Sequence, residues 1–237
     1  MNHKVHHIWL QGGIPEKYQE NYDKWSQYDN KVWSEKELLD LCSDKQVEQY
    51  MTIETLINRV NFLKYILLYS EGGIYADLDS YPVQSLYKFF EETEIKGIDK
   101  DSLLSIRYPY NTTISSNKFG DYEIILPGRK TMMFYPNGDK PILLDNPILM
   151  SLKPKNEFWI NLIDWCSKRT NLKAGGLSDT EFLPHEPYGP YGMTDYLFSN
   201  YKFPYSQKIL VLPTQYLLGC EEPDENMYIL HTADGGW

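Results

Sequence analysis

Two carboxylates, Asp77 and Asp79, stand two residues apart at the end of Gly72-Gly-Ile-Tyr-Ala-Asp-Leu-Asp79. Read as a strand, this stretch puts Tyr75, Asp77 and Asp79 on one face and Ile74, Ala76 and Leu78 on the other. The acids then face a site rather than the core, and paired acids at a strand end make a hard-oxygen site for a divalent cation. The plainer reading is an exposed edge strand with solvated acids. Gly72 and Gly73 carry no side chain, so they let another group approach the backbone closely. The preceding stretch, Thr55–Tyr69, repeats Leu56, Val60, Leu63 and Leu67 at helical spacing, which predicts the helix that delivers the strand. Asn61 and Lys64 lie three apart on one face of that helix.

Around this core the pattern alternates. Strands are expected over 4–10, 31–33 and 72–79, with helices over 15–25 and 55–69. Ser34 and Glu37 form a capping box for a helix reaching Leu41. Residues 46–51 carry no firm signal, and 86–90 suggest a short helix. Strand-like runs follow at 103–107, 122–126, 131–135 and 147–150. Helices are expected over 156–168 and from 194 to 200, and late strands over 208–212 and 227–231. The order predicts an α/β fold with a largely parallel central sheet flanked by helices, whose ligands gather at strand carboxyl ends.

Composition narrows the function. The 237 residues carry a net charge of −10, which opposes nucleic-acid binding. A diphosphate ligand would need local positive charge from a metal ion and from residues such as Arg59 and Lys64. Three cysteines form no disulfide framework and suit a reducing compartment. No leader-like segment or membrane span is evident, so a cytoplasmic protein is expected. There is no Gly-x-Ser-x-Gly elbow and no phosphate-binding Gly-x-Gly-x-x-Gly loop. His6 and His7 alternate on the first strand, so one must face inward. The Trp159 and Trp165 pair reads as core.

Taken together, Asn61-Phe-Leu-Lys64 and Leu67 to Asp79 resemble the "Asp-x-x-Arg … Gly-Gly-x-Tyr-x-Asp-x-Asp" core of DXD-containing sugar transferases. Glycosyltransferase family 32 is the nearest likeness, and the catalytic domains of clostridial glucosylating toxins are more distant ones. His6-His-Ile-Trp-Leu10 resembles the family's opening strand. His231 to Gly235-Gly-Trp237 resembles its closing "His … Gly-Ser-Trp". Asn146 to Met150 and Gly189 to Thr194 resemble two further segments.

The resemblance implies a single GT-A type (Rossmann-like) domain. Residues 1–95 would form mainly a nucleotide-binding half, and 96–237 an acceptor half with a C-terminal lid. It implies transfer of a sugar from a nucleotide sugar, UDP-linked in preference with GDP-linked as the alternative, to a hydroxyl of a glycan or other acceptor, with retention of configuration. Asp79 and His231 would ligate Mn²⁺ (or Mg²⁺). Asp77 would contact ribose or sugar hydroxyls or hold a metal-bound water. Trp9 would stack on the nucleobase, Asn146 would bond the donor sugar and Trp237 would close over the nucleotide. Tyr75, Arg59, Asn61 and Lys64 complete the expected donor site. Asn61 and Lys64 replace the family's usual Asp and Arg, and Gly236 its Ser. A hydrolase using paired carboxylates, and a non-catalytic sugar- or metal-binding module, are the competing readings.

Overall fold

A computed structural model describes residues 4–91, 95–97, 112–114, 123–133, 140–169, 187–200, 209–218 and 227–233. Its N-terminal half runs β1 (Val5–Ile8), α1 (Glu16–Asp23), β2 (Asn30–Trp33), α2 (Glu35–Leu39), α3 (Asp44–Met51), α4 (Leu56–Glu71), β3 (Gly73–Ala76), β4 (Ser80–Pro82) and α5 (Leu86–Glu91). The predicted capping box starts α2: the Glu37 amide donates to Ser34 Oγ, and Ser34 donates to the Glu37 carboxylate. A second box, Ser43 with Gln46, starts α3, where the sequence carried no firm signal. The second half continues β5 (Ile95–Gly97), β6 (Thr112–Ile114), β7 (Ile124–Met133), β8 (Lys140–Leu144), β9 (Ile148–Ser151), α6 (Glu157–Arg169), α7 (Pro190–Asn200), β10 (Ile209–Pro213), α8 (Thr214–Leu217) and β11 (Ile229–His231). The strand expected over 103–107 lies outside the described residues.

The α/β class expected from the alternation holds, with one refinement. The seven-stranded sheet has the order β10-β7-β9-β3-β1-β2, with β8 on β7, and it is mixed rather than largely parallel. β1 pairs parallel with β2 and β3, and β10 parallel with β7. β9 runs antiparallel to both β3 and β7, and β8 antiparallel to β7. β8 and β9 pair antiparallel with successive parts of β7 and so run in the same direction; the change of direction comes between β7 and β8, and it leaves β9 antiparallel between the two parallel sections.

Side chains alternate across this sheet, and both faces are covered. Tyr75, Leu149, Ile124 and Val211 join the cluster under α4, α6 and α7. Ile74, Ala76, Ile148, Met150 and Leu210 join the opposite cluster with Trp25, Phe89 and Tyr228. Period-2 alternation therefore sorts residues between two cores rather than between core and water. His6 and His7 are consequently both fully buried, although only one was expected to face inward. α4 is buried nearly all round, Asn61 and Lys64 included. Tyr65 stacks on Trp159 of α6, with ring centroids 5.8 Å apart. Cys166 is a buried core residue. Among the described residues no helix is long and apolar enough to cross a membrane.

Candidate donor and metal site

The strand ends sooner than its sequence suggests. β3 stops at Ala76, and Asp77–Ser80 form a tight turn closed by the Ser80 amide donating to the Asp77 carbonyl, 3.0 Å away. The two acids thus converge through turn geometry, not by sharing a strand face. The close approach expected at the two glycines is made by the protein's own chain. A Cβ on Gly73 would lie 2.6 Å from the Lys4 carbonyl oxygen and 2.9 Å from His6 Nε2, and one on Gly72 would lie 2.9 Å from Pro154 N. Both glycines have positive φ, 67° and 84°, which only glycine adopts without strain.

His231 reaches the turn from the far end of the chain. β11 pairs antiparallel with β4, setting His231 opposite Ser80. His231 Nε2 comes 3.3 Å from Asp79 Oδ1. Thr232 fastens the same point, since its amide and its hydroxyl both donate to the Asp79 carbonyl, at 2.9 and 3.1 Å. One ligand atom each from Asp77, Asp79 and His231 lies within 4.8 Å of the other two. Donors around one ion at ~2.1 Å stand roughly 3–4.2 Å apart, so a closure of under about 1 Å would seat all three. Burial lowers the affinity of His231 for a proton. The hydrogen bond and charge of Asp79, with the charge of Asp77, outweigh that and raise its pKa overall.

Beneath the acids lies a second, drier layer. The Lys64 ammonium is 3.4 Å from Asp77 Oδ1, donates to the Asn146 carbonyl at 2.8 Å, and sits 4.3 Å from the Tyr75 ring centroid. The Tyr75 hydroxyl donates to the same Asp77 Oδ1 at 2.5 Å. Asn146 Nδ2 donates to Asn61 Oδ1 at 2.9 Å, and the Asp77 amide donates to the Pro147 carbonyl at 2.9 Å. Lys64 is 1% exposed. Burial raises the Asp77 pKa and lowers that of Lys64, and in each case the partner's charge opposes the shift.

Seven of the ten residues expected from the sequence are therefore neighbours in one network: Asn61, Lys64, Tyr75, Asp77, Asp79, Asn146 and His231. Arg59 is set apart. It lies roughly 140–160° round α4 from Asn61 and Lys64, donates to the Ile53 carbonyl at 2.8 Å and covers the Tyr50 ring. Trp9 packs edge-on against Tyr18 beside Leu78 and is 6% exposed. Trp237 lies outside the described residues. Thr232 was not anticipated, because no spacing or residue pattern marks a carbonyl clamp.

Residues 13–99 match the family model described as "Glycosyltransferase sugar-binding region containing DXD motif". The matched segment contains both acids, Tyr75, Lys64 and Asn61. HOC1 of Saccharomyces cerevisiae, provisionally named a glycosyltransferase, is 37% identical over 46 residues, which are 19% of this chain and 12% of HOC1. The chain therefore aligns with only about an eighth of that curated relative's length. In overall shape the chain is similar to the PaToxG glycosyltransferase (TM-score 0.48, 14% identity, 83% of this chain and 69% of that one). It is also similar to a glycosyltransferase involved in glycosylation of the PBCV-1 major capsid (0.45, 10%, 97% and 93%). A third likeness is the catalytic domain of alpha-toxin from Clostridium novyi (0.43, 13%, 72% and 58%). At these scores the likeness in shape says nothing of substrate. The two acids of the matched segment are joined from outside it by Asn146 and His231, brought in by β9 and β11.

Proposed function

We propose that this protein is a metal-dependent glycosyltransferase that moves a sugar from a nucleotide sugar, UDP-linked in preference to GDP-linked, to a hydroxyl of a glycan or other acceptor. The observation that carries this reading is the convergence of Asp77, Asp79 and His231 within 4.8 Å, two of them inside a segment that matches a DXD sugar-binding region. The donor set of two carboxylates and one imidazole fits Mn²⁺ better than Ca²⁺, whose sites are all oxygen. Asp79 and His231 would hold the ion, with Asp77 beside them. When bound, such an ion neutralises the negative charge that develops on a departing diphosphate.

The chain's own residues do the rest. The turn Asp77–Ser80 and the Thr232 clamp hold Asp79 rigidly, so little reorganisation is needed when the donor binds. Asn61 and Asn146 present an amide pair beside Asp77, suited to hydroxyls that both donate and accept. Trp9 and Trp237 are assigned to the nucleoside on the strength of the family likeness of their segments. In this reading residues 1–95 hold the nucleotide and residues 96–237 the acceptor, and transfer proceeds with retention.

A thermal-shift panel tests the proposal. UDP-, GDP- and dTDP-sugars are offered with and without Mn²⁺, since a ligand that binds only the native state raises the melting temperature. A shift that needs both a nucleotide sugar and Mn²⁺, followed by release of the nucleoside diphosphate on turnover, is expected. Turnover of simple glycosides or phosphate esters without any nucleotide would replace it with a hydrolase.

A further inference from the structure

Lys64 has the composition of a phosphate-binding residue and the surroundings of something else. It projects from the middle of α4, a helix buried nearly all round, and its side chain is 2% exposed. Among the described residues its three contacts are all internal. They are the Asp77 carboxylate, the Asn146 carbonyl and the Tyr75 ring. A lysine has three donors and no acceptor. Two of the three already point at protein oxygens on two different elements, the turn after β3 and the turn before β9.

The oxygen it touches matters as much. Lys64 and Tyr75 both address Asp77 Oδ1, at 3.4 and 2.5 Å. Two donors on one oxygen fix the rotation of the carboxylate and leave Oδ2 as the oxygen available to a ligand. The Asp77 amide is meanwhile tied to the Pro147 carbonyl. Side chain and main chain of Asp77 are thus both stitched to the 145–147 turn, the former through Lys64. Asn146, held at its carbonyl by Lys64, is also the partner of Asn61.

We propose that Lys64 is a positioning residue. It acts through Asp77 and the Asn146 turn, locking one carboxylate oxygen away from the site, and does not itself contact the diphosphate. This rests on the transferase reading for its consequence in binding, but not for the coupling between the two side chains. In an acidic protein whose donor site wants positive charge, the structure spends this cation on internal order.

The test is a double-mutant cycle of Lys64→Met, Asp77→Asn and the pair, in the full chain, with Lys64→Arg alongside. Melting temperature is read first. Removing one member of a buried ion pair leaves the other uncompensated, whereas removing both is close to neutral. Lys64→Met is expected to lower the Tm by roughly 6–20 °C, and adding Asp77→Asn to recover at least half of that. A Tm within about 2 °C of the parent for Lys64→Met would overturn the proposal. The second readout is calorimetric binding of UDP, and separately of GDP, each with Mn²⁺, which a merely structural role would not couple.

If Lys64 acts through Asp77, the double variant binds within about twofold of Asp77→Asn alone, and Lys64→Arg, which can still donate to both oxygens, stays within about threefold of the parent. An independent phosphate contact would instead make the double variant weaker than Asp77→Asn by about tenfold or more, and that result would also overturn the proposal. If neither nucleotide binds the parent with Mn²⁺, the transferase reading falls, while the Tm cycle still decides whether Lys64 holds Asp77.

Discussion

Gly73→Ala separates two explanations of the glycine pair that precedes the acids. If the glycines made room for a ligand, an added methyl would harm binding and spare the fold. The structure gives the opposite expectation. The new Cβ would sit 2.6 Å from the Lys4 carbonyl oxygen and 2.9 Å from His6 Nε2, and φ at this position is +84°. The backbone term alone is about 1–2 kcal/mol. The steric term is that of overpacking, about 1–3 kcal/mol. Neither neighbour can yield cheaply. The Lys4 carbonyl accepts the Ile74 amide at 2.9 Å in the ladder between β1 and β3. The His6 ring is held on both sides: Trp33 Nε1 donates to its Nδ1 at 3.0 Å, and its Nε2–H donates to the Gly72 carbonyl at 3.0 Å. Losing one of these bonds adds about 1 kcal/mol.

The sum is roughly 3–6 kcal/mol, a large part of the stability of an ordinary domain, and for a chain of this size a Tm fall of roughly 6–24 °C. Gly13 is the control, because a Cβ there meets nothing within 4 Å. Differential scanning calorimetry of Gly73→Ala and Gly13→Ala checks the argument. Equal melting temperatures for the two variants would refute it, and a selective loss of nucleotide affinity in stable Gly73→Ala would restore the ligand-approach explanation.

Four further outcomes are expected. Asp79→Ala should abolish sugar transfer and Mn²⁺-dependent nucleotide binding, and normal turnover in saturating metal would remove the acid from the site. His231→Ala should weaken Mn²⁺ binding by roughly tenfold or more, as read by titration of the ion in the presence of UDP; an unchanged affinity would leave His231 only as the end of β11. Arg59→Ala should cost about 1–2 kcal/mol in urea unfolding through its lost bond to the Ile53 carbonyl, with nucleotide affinity within about threefold of the parent; a hundredfold affinity loss would return it to the diphosphate. Acid should unfold the protein early. Burial first, with the charge of Lys4 for His6, lowers His6 and His7 from 6.5 to about 4. The unfolded chain therefore binds the extra protons, so stability present above pH 6.5 is lost as pH falls toward 4, by up to about 3 kcal/mol for each ring. A flat urea midpoint between pH 7 and 4.5 would contradict this.

Much of the site is local in the chain and was legible there. The helix over 55–69, the glycine pair and the two acids follow closely in the chain, and a periodic apolar helix followed by glycines and a short alternating apolar run has few other readings. The Ser34 capping box is a contact between residues three apart, so it too could be read directly. What the sequence could not state is which partners the folded chain would bring from afar. His231 and Thr232 reach Asp79 only because β11 pairs with β4, a contact between segments about 150 residues apart in the chain. The direction of β9, and hence the mixed sheet, follows from its running on in the direction of β8 along β7, and the part played by residues 145–147 between them is visible only once Lys64 and Asp77 are bonded there.

The same distance effect changed the meaning of individual residues. A lysine and an arginine on one helix look alike in sequence as cations for a diphosphate. Tertiary packing faced Arg59 toward Tyr50 and drove Lys64 into the interior. Glycine's missing side chain can serve a ligand or a neighbouring strand, and only the coordinates of Lys4 and His6 decide which. The chemistry on offer was written in residue types. Which oxygen, which cation and which histidine take part was settled by burial and by strand pairing between segments far apart in the chain.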